Sequence, residues 1–412
     1  MEQQLIKPLR VLYINHYGIF GGAQRSILAL VFGFPQDSLQ AYFISPRGSV
    51  TPFFEKWGVP YFSVPGISKF DHTRMGYYRG IRWLILLREL VYLFPTLYVF
   101  WKFRKKVNEF DIVHINEITC IIPLILAKKI FRKPVILHAR AVFNNDPRKW
   151  RTKMLNRIFQ KYPSHIIAID ETIAASISVK DKMSVVHNSY SFKSLFNTGL
   201  NEFAKALAGI PKRRVNVGYI GAIHRNKGVF DLLVAIKKCR DEGLDVSLII
   251  AGNGNSGKTP IMHSFLKTVG ISQDMNFELT DYIMKNQLQN HIHPLGFSAN
   301  TSTFYEYIDV VCFPTYYNSV GRPVFEAAFF KKPSMVAIDN PFPDTFIDGK
   351  TGLKVKEGNP DSIFEAISKF YNEPSLLAQM GEEALKLAFE NFDLAKNVSK
   401  VQEIYSSVLT SE

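Results

Sequence analysis

Short runs of apolar and β-branched residues recur along the chain, each followed by a longer stretch in which apolar positions return every third or fourth residue. The first pattern predicts a strand buried on both faces and the second a helix with one buried face. Their alternation predicts parallel sheets covered by helices on both sides. In the first half the expected strands are LRVLYIN (9–15), AYFIS (41–45), YFSV (61–64), DIVHIN (111–116), PVILHA (134–139), HIIAID (165–170) and MSVVHN (183–188). A second series reads VNVGYIG (215–221), VSLIIAG (246–252), HIHPLG (291–296), DVVCFPT (309–315), SMVAI (334–338) and GLKV (352–355). Between the two series lies a polar, helical stretch ending in Pro211 and three bases. The pattern predicts an α/β chain of two doubly wound domains, residues 1–195 and 213–385, joined by a linker at 196–212. A helix in 386–412 is expected to return to the first domain. Ligands of such domains bind beyond the carboxyl ends of the strands, here expected in a shared central cleft.

Composition narrows this only a little. At 412 residues, 47% apolar, the chain exceeds what one core holds and excludes a disordered or low-complexity protein. Charge is uneven: residues 1–200 hold 28 Lys+Arg against 12 Asp+Glu, whereas residues 201–412 hold 22 against 24. A basic first half calls for an anionic partner. Cys120, Cys239 and Cys312 are far apart and have no metal-ligand spacing, which fits a reducing cytosol. No export signal is expected at the start, where the apolar run is too short. Residues 81–103 are strongly apolar, but Arg88 and Glu89 interrupt them and Pro95 is expected to kink them. About 20 uninterrupted apolar residues are needed to span a bilayer, so a helix pair on a membrane surface or over a core is expected instead. Aromatics and bases interleave across residues 77–106, which makes an anionic membrane surface a candidate partner and a solvated cationic face the bland alternative.

The loops after the first strand of each domain and after DVVCFPT hold the candidate chemistry. After the first strand, Gly21 and Gly22 open a helix, so backbone can approach a ligand near free amides. The full dinucleotide and P-loop glycine spacings are absent. After VNVGYIG, Arg225 and Lys227 stand at a helix entrance, where two cations can neutralise a diphosphate without metal. After DVVCFPT, Pro323 fits a first helical turn, which leaves the amides of Ser319, Val320 and Gly321 free, and Glu326 can accept two hydroxyl protons from a vicinal diol. No Asp-x-Asp occurs to hold a divalent ion on a diphosphate, and no G-x-S-x-G is present.

Taken together, these segments resemble family 4 retaining glycosyltransferases of GT-B architecture, built of two Rossmann-like domains. Gly21-Gly22-Ala23-Gln24-Arg25 is similar to that family's G-G-A-x-R, DIVHIN to its D-x-V-H-x-H, and VVHNS to its turn before the domain crossover. Gly221 through Lys227-Gly228 resembles its strand, loop and K-G element, and AGNG (251–254) its A-G-x-G. The block from Tyr307 to Ala337 resembles its A-D-V … E-A element. Three positions depart. Asn318 stands where the family has the first of two glutamates, with Glu326 as the second. Gly221-Ala222 replaces its Gly-Arg, so the phosphate arginine is missing or is supplied by Arg225. Arg140 aligns with its histidine after the fifth strand, with His138 two residues before it on the same strand face.

The resemblance implies a retaining, metal-independent hexosyltransferase-type enzyme. It would take a nucleoside diphosphate sugar as co-substrate, need no cofactor and act on a glycan or lipid-linked acceptor. Polysaccharide or glycolipid synthesis is the implied setting, in the cytoplasm or on the inner face of the plasma membrane. Lys227, Arg225, Asn318, Arg140 and His138 are the implied catalytic residues. Gly21, Gly22, Gly221, Gly254, Leu295, Ser319, Val320, Gly321 and Glu326, with Arg225, Lys227 and Asn318, are the implied donor contacts. No nucleic-acid reading motif is found. Two rival readings are a non-catalytic sugar-nucleotide-binding subunit and a sugar-nucleotide epimerase of similar fold.

Overall fold

The computed structural model describes residues 7–74, 76–191, 202–254 and 275–411. They form two compact units, one of residues 1–189 with 394–412 and one of residues 190–393. Among the described residues each has a single parallel sheet, of seven and six strands. All thirteen strands fall where the apolar runs predict them.

The first sheet holds β1 (Leu9–Ile14), β2 (Leu39–Pro46), β3 (Tyr61–Val64), β4 (Ile112–Ile115), β5 (Val135–Ala139), β6 (His165–Ala168) and β7 (Met183–Val185). Their order is β3-β2-β1-β4-β5-β6-β7. Val11 pairs with Ala41 on one side and Ile112 on the other. Successive strands build outward from β1 in one direction and then the other, so the chain reverses between β1 and β4. That reversal opens a crevice at the carboxyl end of the sheet. β1 and β4 each end one residue short of their apolar runs, at Asn15 and Asn116, whose side chains bond to each other.

The second sheet contains β8 (Val215–Ile220), β9 (Val246–Ala251), β10 (Ile292–Gly296), β11 (Val310–Phe313), β12 (Ser334–Ala337) and β13 (Gly352–Val355). The order β10-β9-β8-β11-β12-β13 puts the reversal between β8 and β11. Covering helices follow their apolar spacing. In Val229–Asp241 the buried residues include Val229, Leu232, Leu233, Ile236 and Cys239, one face of the helix, with Asp231 in the first turn and Lys238 and Arg240 in the last. Asn359 caps the helix Pro360–Asn372 by accepting from the Ser362 amide. All three cysteines are buried and free.

Within the expected linker, Glu202–Ala208 is helical, as its composition predicts, and its Phe203 and Leu207 are buried against Phe304 and Ile308 in the second unit. The rest of that linker up to residue 201 lies outside the described residues. Residue 386 falls inside the helix Ser375–Asn391 of the second unit, and the chain rejoins the first unit at Leu394, where the helix Leu394–Thr410 begins. Residues 85–103 form one helix, Ile85–Phe103, rather than a pair. Pro95 removes one backbone donor, but Glu89, Thr96, Val99, Phe100 and Phe103 keep one buried face continuous past it. Beyond the proline, the Thr96 hydroxyl donates to the Tyr92 carbonyl and accepts from the Ser68 amide. No helix among the described residues is long and apolar enough to cross a membrane.

Candidate active site

At the reversal point of the second sheet, the loops leaving β8 and β11 are fastened to each other. The Asn226 carbonyl accepts from the Tyr316 amide (3.0 Å) and from the Thr315 hydroxyl (3.4 Å). Gly228 sits in left-handed backbone (φ +69°), and a Cβ there would run into the Pro314 carbonyl. Only glycine meets both demands. Arg225–Lys227 form one tight turn, capped by the His224 ring, which accepts from the Asn226 amide.

This turn separates two cations that the sequence places side by side. Arg225 lies on the surface and pairs with Glu278 at 2.7 Å. Lys227 points inward, its Nζ 4.4 Å from the centre of the Tyr317 ring and 6.0 Å from that of Phe313. No carboxylate pairs with it among the described residues, and burial lowers its pKa. The result is a half-buried positive charge whose neighbours are aromatic faces, an arrangement that favours an incoming anion.

The loop after β11 carries Asn318, Ser319, Val320 and Gly321 into the helix Arg322–Ala328. Asn318 has left-handed backbone (φ +47°), which asparagine tolerates better than glutamate, and its Oδ1 accepts from the Asp339 amide at 2.8 Å. The amides of Ser319, Val320 and Gly321 have no partner among the described residues. A Cβ on Gly321 would strike the Phe313 ring. Glu326 lies within the body of the same helix. It is 3% exposed, with Oε1 accepting from Arg322 (2.8 Å) and Oε2 from the Tyr305 hydroxyl (2.8 Å). Both oxygens are held by partners within this unit. The spacing of Arg322 and Glu326, four apart on a helix, was the available signal for that pair.

Gly221, Gly254 and Leu295 follow β8, follow β9 and lie in β10, at the same end of the sheet. Gly221 donates its amide to Ala251 and Gly252 donates to Gly296, which ties the three strand ends together. Gly254 donates to Asn276 Oδ1 at 2.8 Å, at the start of the helix Met275–Lys285. Leu295 packs beside Ile220 and Ala251. The loop beyond Gly254 lies outside the described residues.

In the first unit, Gly21 caps the helix Gly22–Gly33 with ordinary backbone (φ −126°), and a Cβ there would touch nothing. Neither backbone nor packing within this chain demands a glycine there. A directed row of hydrogen bonds runs across the crevice. Arg140 donates to Asn116 (2.6 Å), Asn116 to Asn15 (2.9 Å), Asn15 to Gln24 (2.8 Å), and Gln24 to the Tyr17 carbonyl (2.7 Å). Arg140 also reaches Asn188 on the far side (2.8 Å). Sequence reasoning missed this row, because its members lie on strands distant in the chain.

His138 is 4% exposed and contacts Arg140 through Nδ1 at 3.3 Å. Because arginine only donates, Nδ1 accepts and Nε2 carries the proton. The same Nδ1 lies 3.1 Å from His114, whose other nitrogen meets the Tyr405 hydroxyl at 2.6 Å, and Tyr405 meets Tyr13 at 3.1 Å. Burial holds both imidazoles neutral, with His114 pushed down to about 3 and His138 well below its ordinary value, and Arg140 adds to both shifts. Of the two candidates on this strand, Arg140 is the more accessible. Beside it Glu117, buried, is pushed up to about 7 by desolvation, against the opposing pull of the Ile118 amide and Arg140.

Two family models match the chain: "Glycosyl transferases group 1" over residues 201–387 and "Glycosyltransferase Family 4" over residues 20–191. Among curated proteins, the capsular polysaccharide biosynthesis glycosyltransferase CapM of Staphylococcus aureus is 22% identical over 265 residues, covering 62% of this chain and 65% of CapM. A D-inositol 3-phosphate glycosyltransferase of Corynebacterium diphtheriae is 24% identical over 208 residues, 50% of this chain and 45% of its own. The chain thus spans less than two thirds of the length of either relative. Among solved structures, Anabaena HepE in complex with UDP and glucose superposes with a TM-score of 0.72 at 17% identity, covering 97% of this chain and 100% of that one. The sucrose-phosphate synthase of Thermosynechococcus elongatus gives 0.70 at 13% identity, covering 98% and 100%. At these identities the structural likeness speaks to the fold.

Proposed function

Because the chain belongs to the group 1 glycosyltransferases of GT-B type, we propose that it moves a sugar from a nucleoside diphosphate sugar to a glycan or lipid-linked acceptor, with retained anomeric configuration and without a divalent ion. The observation that carries this reading is Lys227, a half-buried ammonium with no carboxylate partner among the described residues, at the reversal point of the second sheet. The leaving diphosphate would lie against Lys227 and the amides of Ser319 to Gly321. Fixed donors aimed at the charge that develops on departure stabilise the transition state more than the ground state. Gly21 leaves room for the donor at the helix start of the first unit. Arg140, fixed by Asn116 and Asn188, would orient the transferred sugar or its acceptor. Arg225, already paired with Glu278, has the smaller part. The HepE complexes make UDP-glucose the first donor to try.

The test is donor turnover followed by NMR with a glycolipid or glycan extract, with and without chelator. Transfer that keeps the donor's anomeric configuration and is indifferent to chelator is the expected outcome. Inversion of the anomer, or activity restored only by manganese, contradicts it. One observation favours a second reading. Asn318, locked to the Asp339 amide, puts no charge where the resemblance implies a glutamate, as a subunit that binds sugar nucleotide without catalysis would permit. Tight donor binding with neither transfer nor hydrolysis would decide for that reading.

A further inference from the structure

The helix Ile85–Phe103 is the least finished surface of the first unit. Leu84, Leu87, Val91, Phe94, Tyr98 and Trp101 follow one another at alternating steps of three and four, and all are exposed, Phe94 by 74%. Such spacing makes a continuous apolar stripe along one side of a helix. The opposite side is buried in the unit's own core through Val99, Phe100 and Phe103. The stripe is therefore not a core face left over from folding. An exposed apolar surface of this kind marks an interaction site.

Charge indicates what covers it. Lys102, Arg104, Lys105 and Lys106 are exposed at the carboxyl end of the stripe and Arg79 is exposed before its start. Glu89 is turned inward and Glu109 is the one exposed carboxylate between residues 85 and 109. Lys102 lies over the Phe62 ring and Arg104 over Trp101, so the stems of both run along apolar surface. A second copy laid along the stripe in either direction would set cation against cation. An anionic bilayer satisfies both features at once: the aliphatic and aromatic side chains enter the acyl boundary, and the bases meet lipid phosphates. Tyr98 and Trp101 suit the headgroup level.

The same helix is tied to the crevice of its own unit. Buried Glu89 accepts from the Lys69 amide through Oε2 (3.0 Å), and the Ser68 hydroxyl donates to the Glu89 carbonyl (2.9 Å). Lys69 in turn donates from Nζ to the Tyr17 hydroxyl (2.9 Å), in the loop that leads to Gly21. Within this unit, the inner side of the helix is thus two hydrogen bonds from the first-strand loop.

We propose that the face Leu84–Trp101 docks the protein on an anionic membrane leaflet and presents the carboxyl end of its first sheet to lipid-linked acceptors. The docking stands without the transferase reading, and only the identity of what is delivered rests on it. The test sediments the full chain with vesicles of phosphatidylcholine, alone or with about 30% phosphatidylglycerol, at low and high salt. Binding is expected to the anionic vesicles and to weaken with salt. It should fall at least about tenfold in Val91→Glu/Phe94→Glu and in Lys105→Glu/Lys106→Glu. All four side chains are exposed, so thermal unfolding should not move, and UDP-glucose thermal shifts should persist. No vesicle binding by the wild type, or wild-type binding retained in either variant, overturns the proposal. A wild-type dimer in light scattering that Phe94→Glu makes monomeric also overturns it, by assigning the face to a second copy. Vesicle binding without any nucleotide-sugar response would leave docking in place and remove the transferase reading.

Discussion

A lysine ammonium among aromatic rings, with no carboxylate among the described residues to neutralise it, is a costly thing to bury. At Lys227 the cost shows as a lowered pKa. The folded group sheds its proton at a lower pH than the unfolded one, so the stability cost is full below the folded value and is relieved as pH rises through it. Donor affinity resting on that charge should fall in alkaline solution before ordinary lysines titrate, and Lys227→Arg should shift that limb upward. Lys227→Ala is expected to cut turnover by about 100-fold or more while unfolding free energy changes by less than about 1 kcal/mol. Initial rates across pH, alongside urea unfolding, measure both. Glu117 runs the other way. Its carboxyl is raised to about 7, so the folded chain holds a proton that the unfolded chain has lost, and stability falls as pH rises from the ordinary carboxyl range to neutrality. Glu117→Gln should remove that slope and recover roughly 1–3 kcal/mol at neutral pH, as seen in melting temperatures at pH values below and above it. Asn318 was legible in the sequence as a departure, but its cause was not. Left-handed backbone and a bond to the Asp339 amide are properties of the folded loop.

Among the elements, two glycines at helix starts make opposite predictions. Gly228→Ala forces a side chain into left-handed backbone and against the Pro314 carbonyl, where the loops of β8 and β11 meet. It should cost about 2–4 kcal/mol and abolish donor-induced thermal shifts. Gly21→Ala meets nothing in the chain and has unstrained backbone. Its stability should stay within about 0.5 kcal/mol, while turnover drops because a methyl group occupies the space proposed for the donor. If both activity and stability are unchanged in Gly21→Ala, that space has no part in the reaction. The strands themselves were legible because buried parallel strands demand apolar runs whatever their neighbours. The ends of β1 and β4 were not, since Asn15 and Asn116 stand just beyond them with side chains bonded across the crevice. The helix pair expected around Pro95 was misread for a related reason, since one helix with a continuous buried face runs through the proline.

At the scale of the molecule, the chain finishes the first unit with its last helix. Tyr405, from Leu394–Thr410, stands buried between Tyr13 of β1 and His114 of β4. Tyr405→Phe keeps the ring but leaves the His114 Nδ1 with no donor, and should lower the stability of the first unit by roughly 1–3 kcal/mol. Denaturant unfolding would show whether a first transition shifts while the second does not. Periodicity and loop composition sufficed for two parallel sheets, their strands and the loops that follow them, because strand burial, helix faces and glycine turns are local consequences of residue type. The partnering of charges was left to the fold. That Arg225 is spent on Glu278, that Glu326 is enclosed by Arg322 and Tyr305, and that Lys227 meets no opposite charge among the described residues all depend on which loops meet. Hydrogen bonds and ion pairs act over a few ångströms, and only the folded chain brings distant residues within that reach.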